Sequence, residues 1–176
     1  MKLEHFLGSN VPEYAILSHT WDKEEVLYKD IMGPYEHFSS QTGFHKVFGC
    51  CRQARRDKIL YVWIDSCCIN SDSSAELSEA INSMYQWYRN AKVCYTYLSD
   101  VGFHKKDFAE SRWFSRGWSV TALRLLTNAH RASSIFYPIL TSITPFWKTI
   151  KLDSLIRLLL MQDSTRTHSA KETVLL

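Results

Sequence analysis

A run of six apolar and aromatic residues ending in an acid constrains this sequence more than any other feature. Residues 59–64 read ILYVWI, and Asp65 follows them. Because β-branched and aromatic side chains fill the run without polar alternation, it is typical of a strand that is buried on both faces. Such strands occupy the centre of parallel sheets covered by helices. The run therefore predicts the central strand of an α/β protein.

Two further apolar runs and two amphipathic helices surround this strand in the sequence. Residues 14–19 (YAILSH) and 93–98 (VCYTYL) predict two more strands. Residues 44–56 carry apolar side chains at helical spacing, and residues 75–90 do so after a capping-box pattern at 73–76. Strand and helix thus alternate, which indicates an α/β fold with a parallel sheet, right-handed crossovers and flanking helices.

Both helices are predicted to bury one apolar stripe against the sheet. In the first helix the stripe consists of Phe44, Val47, Phe48, Cys51 and Ala54. In the second it consists of Leu77, Ile81, Met84, Tyr88 and Ala91.

The carboxyl ends of the predicted strands carry candidate site residues. Ser18 and His19 end the first strand, and Asp65 ends the central one. Ligands of open parallel sheets bind in the crevice beyond these ends, so we expect the three side chains to share one cleft. His19 could titrate near neutral pH, and Asp65 could either orient a ligand or cap the following turn. The alternative, in which His19 bonds backbone while Trp21 packs over the core, explains these residue types slightly better.

Composition places the chain among soluble globular proteins. Hydrophobic residues make up 45% of its 176 residues, enough for one domain with a core. The net charge of +3 arises from 21 basic and 18 acidic residues without a basic block, so nucleic acid is not an expected partner. The five cysteines lack CxxC spacing, which predicts reduced thiols and no metal site. Residues 1–10 do not resemble a signal peptide and no apolar stretch is long enough for a span, which predicts a cytoplasmic protein without membrane contact.

Three motifs, in order, resemble the fungal heterokaryon incompatibility (HET) domain family. They are YAILSHTW at 14–21, YVWIDSCCIN with AELSEAINSMYQWY at 61–88, and SRWFSRGW at 111–118. The resemblance implies a parallel sheet wrapped by helices, like that of Toll/interleukin-1 receptor (TIR) domains and flavodoxins. It also implies a role in allorecognition and programmed cell death, through self-association or a sensor protein and without a cofactor.

The resemblance assigns twelve residues to the family motifs and their crevice. They are Ser18, His19, Trp21, Asp65, Cys68, Asn70, Glu76, Glu79, Arg112, Trp113, Arg116 and Trp118. The residue types themselves favour a capping role for Glu76 and a packing role for Cys68. The two tryptophans of the third motif are expected to be core anchors, because they carry large apolar area. Its arginines can pair with Asp100, Asp107 or Glu110 or grip a phosphate, and Arg116 is the better ligand candidate.

Two positions depart from the family pattern. Asp22 stands where the family commonly has glycine, and its side chain would obstruct the close approach of a ligand. Ala122 stands where similarity to TIR domains places the glutamate that cleaves NAD in some relatives. Because a methyl group cannot replace a carboxylate, no catalytic residue is assigned and a role in protein interaction is predicted. The alternative is an NAD-cleaving hydrolase with Glu79, otherwise a solvated helix residue, as its acid.

The family pattern is lost after Trp118. Residues 1–118 are predicted as the N-terminal part of a HET domain and hold 14 basic and 15 acidic residues, whereas 119–176 hold 7 and 3. This second segment is predicted to be divergent, helical around 154–162 (SLIRLLLMQ) and disordered in part. A change of reading frame or splice site near residue 119 would account for the loss. A nonfunctional HET fragment is then the remaining alternative.

Overall fold

One sheet of seven strands is found in the computed structural model, which describes residues 1–101, 111–115, 133–139, 146–151 and 172–175. The strands are β1 (Leu3–Phe6), β2 (Tyr14–His19), β3 (Tyr61–Ile64), β4 (Val93–Tyr97), β5 (Ser133–Ile139), β6 (Phe146–Lys151) and β7 (Glu172–Leu175). The helices are α1 (Tyr28–Ile31), α2 (Tyr35–Ser39), α3 (Phe44–Arg56), α4 (Asp65–Cys68) and α5 (Ser74–Asn90). Two single turns of 3₁₀ helix lie at Gly8–Asn10 and Arg112–Ser115.

The sheet has a parallel centre and antiparallel edges. Its order is β1-β7-β3-β2-β4-β5-β6, and β3, β2, β4 and β5 run parallel. β2 lies in the middle, where Ile16 is opposite Trp63 on one side and Cys94 on the other. The strands β1, β6 and β7 pair antiparallel to their neighbours. The predicted α/β fold with a parallel sheet and flanking helices is confirmed.

Three strands come from the segment after Trp118. β5 pairs with β4 from Cys94 opposite Ser133 to Tyr97 opposite Phe136, so this segment extends the sheet that the first 118 residues build. No strand was predicted in this segment. The stretch 154–162, predicted as helix, lies outside the described residues.

The two long helices begin and end close to the predicted bounds. α3 covers the predicted 44–56, and α5 begins one residue before the predicted 75. Ser73 caps α5, because its hydroxyl accepts a hydrogen bond of 3.3 Å from the backbone N–H of Glu76. In a full capping box the side chain of Glu76 would accept a hydrogen bond from the N–H of Ser73. Here that N–H donates to the carbonyl of Asn70 at 3.2 Å instead. Glu76 therefore belongs to the helix start, as its position predicted.

The buried faces of these helices differ in part from the predicted stripes. In α5, Leu77 and Ile81 are exposed, and the buried residues are Ala80, Ser83, Met84, Trp87 and Tyr88. The face turns toward Trp87 because its ring packs against that of Trp63 in β3, with the centroids 4.9 Å apart. In α3, Phe48 is 46% exposed whereas Lys46 is buried. The stripes were therefore partly wrong, since ring packing and an ion pair decide which flank turns inward.

Lys58 holds the left-handed conformation that ends α3. Its φ is 62°, and it is the only non-glycine residue with positive φ in the described chain. The N–H of Lys58 donates to the carbonyl of Arg55 at 3.1 Å, and that of Ile59 donates to Ala54 at 2.8 Å. These two bonds form a Schellman motif, in which glycine usually holds the left-handed position.

Lys58→Gly is expected to stabilise the protein by about 0.5–1 kcal/mol. Glycine removes the left-handed strain of about 1–2 kcal/mol and loses part of that gain to its larger unfolded-state entropy. The free energy of unfolding from urea titration measures the effect. Lys58→Ala keeps a Cβ atom and serves as the control, so equal stability of the glycine and alanine variants would contradict the left-handed geometry.

Candidate functional site

The carboxyl ends of β2 and β3 meet around the carboxylate of Asp65. Because the two strands are parallel neighbours, His19 and Asp65 emerge at the same edge of the sheet. The Nε2 atom of His19 lies 2.6 Å from Oδ1 of Asp65, and the indole N–H of Trp21 donates to Oδ2 at 3.1 Å. The backbone N–H of Ser66 also donates to Oδ1, at 2.8 Å. The predicted meeting of His19 and Asp65 is confirmed, whereas the hydroxyl of Ser18 bonds Trp113.

Asp65 is both a cap and a crevice residue. It is the first residue of α4, and its bond from Ser66 satisfies a backbone donor at the start of that turn. Burial raises the pKa of its carboxyl group, but the charge of His19 and the hydrogen bonds from His19, Trp21 and Ser66 outweigh burial and hold the pKa below its ordinary value of 3.8. Asp65 is therefore a carboxylate at neutral pH.

Trp21 does not cover the core. Its side chain is 42% exposed, whereas His19 beside it is 5% exposed. The alternative in which Trp21 packs as a lid is therefore wrong. The indole bonds Asp65 through its edge and leaves aromatic surface open to solvent.

The third motif packs onto the first. The indole N–H of Trp113 donates to the hydroxyl of Ser18 at 3.1 Å, and Trp113 is 1% exposed. Arg112 donates its backbone N–H to Asp100 at 2.7 Å, and its guanidinium lies 3.0 Å from Asp22. The predicted anchoring by Trp113 is confirmed, and so is the pairing of Arg112 with Asp100, because the guanidinium Nε lies 3.6 Å from Oδ2 of that carboxylate. Arg116, Trp118, Asp107 and Glu110 lie outside the described residues.

Asp22 joins three segments instead of merely obstructing the crevice. Its carboxylate accepts from Arg112 and lies 3.7 Å from the ammonium of Lys46. Its backbone N–H donates to Oε1 of Glu25 at 2.6 Å. Glycine at this position could form none of these side-chain contacts. Asp22 therefore holds the loop that follows His19 in place.

A buried ion pair that the sequence analysis missed supports this loop from α3. The ammonium of Lys46 lies 2.5 Å from Oε1 of Glu25 and donates to the carbonyl of Thr20 at 3.2 Å. Both charged side chains are 3% exposed. Gly43 permits the close packing, since a Cβ atom there would lie 2.5 Å from the carbonyl oxygen of Glu24. A lysine beside an apolar stripe gave no signal of its partner, which is contributed by a loop 21 residues away.

The other predicted site residues gather at a second place. Cys68, Asn70, Glu76 and Glu79 line a cavity of about 30 Å³ between α4 and the start of α5. Such a cavity holds about one water molecule. Burial raises the pKa of the Cys68 thiol well above its ordinary value, and its Sγ accepts from the N–H of Ile64 at 3.4 Å. The packing role predicted for Cys68 agrees with this neutral, buried thiol.

Two kinds of feature are absent from the described residues. None of their helices is long and apolar enough to cross a membrane. Within the same residues, no group of three His, Cys, Asp or Glu side chains is placed to hold a metal ion.

The protein is an α/β protein with a central parallel sheet. Its three sequence motifs meet around Ser18, Asp22 and Asp65. The sequence model of the heterokaryon incompatibility (HET) family matches residues 14–106, which is more than half of the chain, and the chain belongs to this family. It is similar to the vegetative incompatibility protein HET-E-1 of Podospora anserina, with 46% identity over 128 residues. That match covers 66% of this chain and 9% of the relative, so the chain spans less than a tenth of the relative's length. No solved structure matches the chain.

Asp65→Asn is expected to destabilise the protein by about 1–3 kcal/mol at pH 7, because it weakens charge-assisted hydrogen bonds to a buried group. The folded pKa of Asp65 lies below the ordinary value of 3.8, so its stabilisation is complete above that pH and is lost as pH falls through the folded pKa. Urea unfolding at neutral pH and at a series of acidic pH values measures the difference between wild type and variant. We expect that difference to shrink below pH 3.8.

Asp72→Asn, at an exposed carboxylate, is the matched control and should change stability little at any pH. A difference between Asp65→Asn and wild type that does not vary with pH would contradict the lowered pKa of Asp65.

Lys46→Met is expected to destabilise the protein by about 3–5 kcal/mol, because it leaves the charge of Glu25 buried without its counter-charge. The double variant Glu25→Gln/Lys46→Met should recover much of this loss, since glutamine carries no charge and still accepts from Asp22. Arg112→Met removes the exposed ion pairs with Asp22 and Asp100 and should cost less than about 1 kcal/mol. Chemical unfolding of the four proteins gives the comparison, and a double variant no more stable than Lys46→Met would contradict the assignment.

Proposed function

We propose that this chain is a signalling module of fungal vegetative incompatibility that acts in the cytoplasm by binding other protein chains. The observation that carries the proposal is the hydrogen-bonded set of His19, Trp21 and Asp65 at the carboxyl ends of β2 and β3, called the strand-end group below. All three residues lie within the range matched by the HET family. An ordered, half-open surface with an exposed indole and a carboxylate suits recognition of a partner.

The partner and the outcome of binding belong to the same proposal. The name of the Podospora anserina relative states vegetative incompatibility, and similarity over most of this chain supports the same process here. Self-association or binding to a sensor protein is the expected mode, with programmed cell death as the response. The parallel arrangement of β3, β2 and β4 supports a fold of the TIR and flavodoxin kind.

The geometry gives less support to the NAD-cleaving alternative. Glu79 would have to supply the acid, yet the cavity that it lines measures about 30 Å³. A ribosyl group requires far more room than one water molecule occupies. Binding of other chains is therefore the favoured function, with NAD as the substrate to test against it.

Regulated expression of the chain in a filamentous fungus tests this proposal. Wild type is expected to lower the surviving fraction of cells. Asp65→Asn is expected to restore survival, because it removes the negative charge of the strand-end group while the side chain keeps nearly the same size. Glu13→Gln, at a charge pair on the surface, is the matched control and should kill as wild type does. Colony counts at equal protein level, with circular dichroism of each purified variant, give the readout. Equal killing by wild type and Asp65→Asn, with both folded, would refute the role of this group.

Incubation of the purified chain with NAD separates the two functions. Nicotinamide release no faster than in the protein-free solution is expected. Turnover that Glu79→Ala abolishes would overturn the interaction proposal in favour of the hydrolase. A cooperative thermal transition of the same preparation is also expected, and its absence would favour the nonfunctional fragment.

A further inference from the structure

A large cavity lies beside the C-terminal part of α3, away from the strand-end group. Its volume is about 520 Å³, and its wall includes Tyr35, Phe48 and Leu60 together with Lys2, Arg52 and Arg55. None of the residues that surround Asp65 lines it. Its size falls within the range of about 300–1,000 Å³ that is usual for small-molecule sites.

Exposed apolar side chains are concentrated at this cavity. The described residues expose nine large hydrophobic side chains, and four of them line it: Met1 at 40%, Tyr35 at 51%, Phe48 at 46% and Leu60 at 69%. Scattered apolar residues are normal on a protein surface, whereas a contiguous concave group of them marks a binding site. The cavity therefore offers apolar contact to a ligand.

The charged side chains that line the cavity are basic. Lys2, Arg52 and Arg55 line it, and no Asp or Glu is among its described lining residues. The ammonium of Lys2 lies 3.1 Å from the carboxylate of Glu4, which offsets its charge. Arg55 forms no ion pair within the described part of the chain, while the guanidinium of Arg52 lies 6.0 Å from the ring centroid of Phe48. Cys51 adds no negative charge, because burial raises the pKa of its thiol to about 11 despite the opposing charge of Arg55. A ligand here meets positive charge beside apolar surface.

We propose that this cavity binds a small amphipathic anion, with an apolar chain or ring against Phe48 and Leu60 and a carboxylate on Arg55. Guanidinium groups bind carboxylates through paired charge-assisted hydrogen bonds, and the apolar wall contributes by removing the chain from water. A cation of the same shape would meet repulsion from the two arginines. The site is independent of the incompatibility function proposed above, since the two share no residue.

Calorimetric titration of the full chain with decanoate, below the concentration at which it forms micelles, tests the proposal. Saturable binding to one site is expected, and decylamine, which has the same chain and the opposite charge, should give none. Arg55→Gln should weaken decanoate binding at least about tenfold, a change of about 1.4 kcal/mol. Arg56→Gln removes a neighbouring exposed charge that does not line the cavity and should leave the affinity unchanged.

The apolar wall is tested separately. Phe48→Ser should weaken decanoate binding, whereas Leu7→Ser, at a residue 63% exposed and outside the cavity, should not. Absence of saturable decanoate binding, equal binding of decylamine, or an equal effect of Arg55→Gln and Arg56→Gln would each overturn the proposal. Binding to vesicles of anionic lipid without binding to decanoate would also overturn it, in favour of a membrane surface.

Discussion

Parallel pairing of β2 with β3 on one side and β4 on the other determines where the remaining elements of this protein lie. All six residues of β2 are buried, and Tyr14 reaches α5 through a hydrogen bond from its hydroxyl to the carbonyl of Trp87. A strand enclosed on both faces and both edges has a fixed register, because a shift by one residue would exchange its two sets of side chains. The carboxyl ends of β2 and β3 therefore stay together, and His19 meets Asp65.

Electrostatic contacts then convert this edge of the sheet into an ordered surface. Asp65 collects hydrogen bonds from His19, Trp21 and Ser66, so its charge is satisfied although its side chain is only 18% exposed. The loop after β2 is held from one side by the buried ammonium of Lys46 and from the other by the exposed guanidinium of Arg112. Since buried pairs depend far more on their geometry than exposed ones, Lys46 positions the loop and Arg112 adds less.

Features that are encoded within a few residues were predicted from the sequence, and features that depend on contacts between distant residues were not. The apolar run before Asp65 and the cap at Ser73 identified β3 and α5, because strand burial and helix capping are encoded within a few residues. The open side of Trp21 and the burial of Lys46 were not predictable in this way. Each depends on a partner brought in by the folded chain, Asp65 in one case and Glu25 in the other. The same holds for Leu77, which the packing of distant rings leaves outside.

α3 connects the two surfaces that this fold creates. Lys46 near its start contacts the loop beside the strand-end group, and Arg52 and Arg55 near its end line the apolar cavity. A helix of 13 residues is about 20 Å long and behaves as one rigid body, so a displacement at one end would be felt at the other. A ligand can shift such an element only if it binds two positions of the helix with different affinity. The buried Lys46–Glu25 pair resists that shift, because movement of α3 would separate two charges that have no access to water. An occupied cavity is therefore compatible with an unchanged strand-end group, and the two surfaces can act independently.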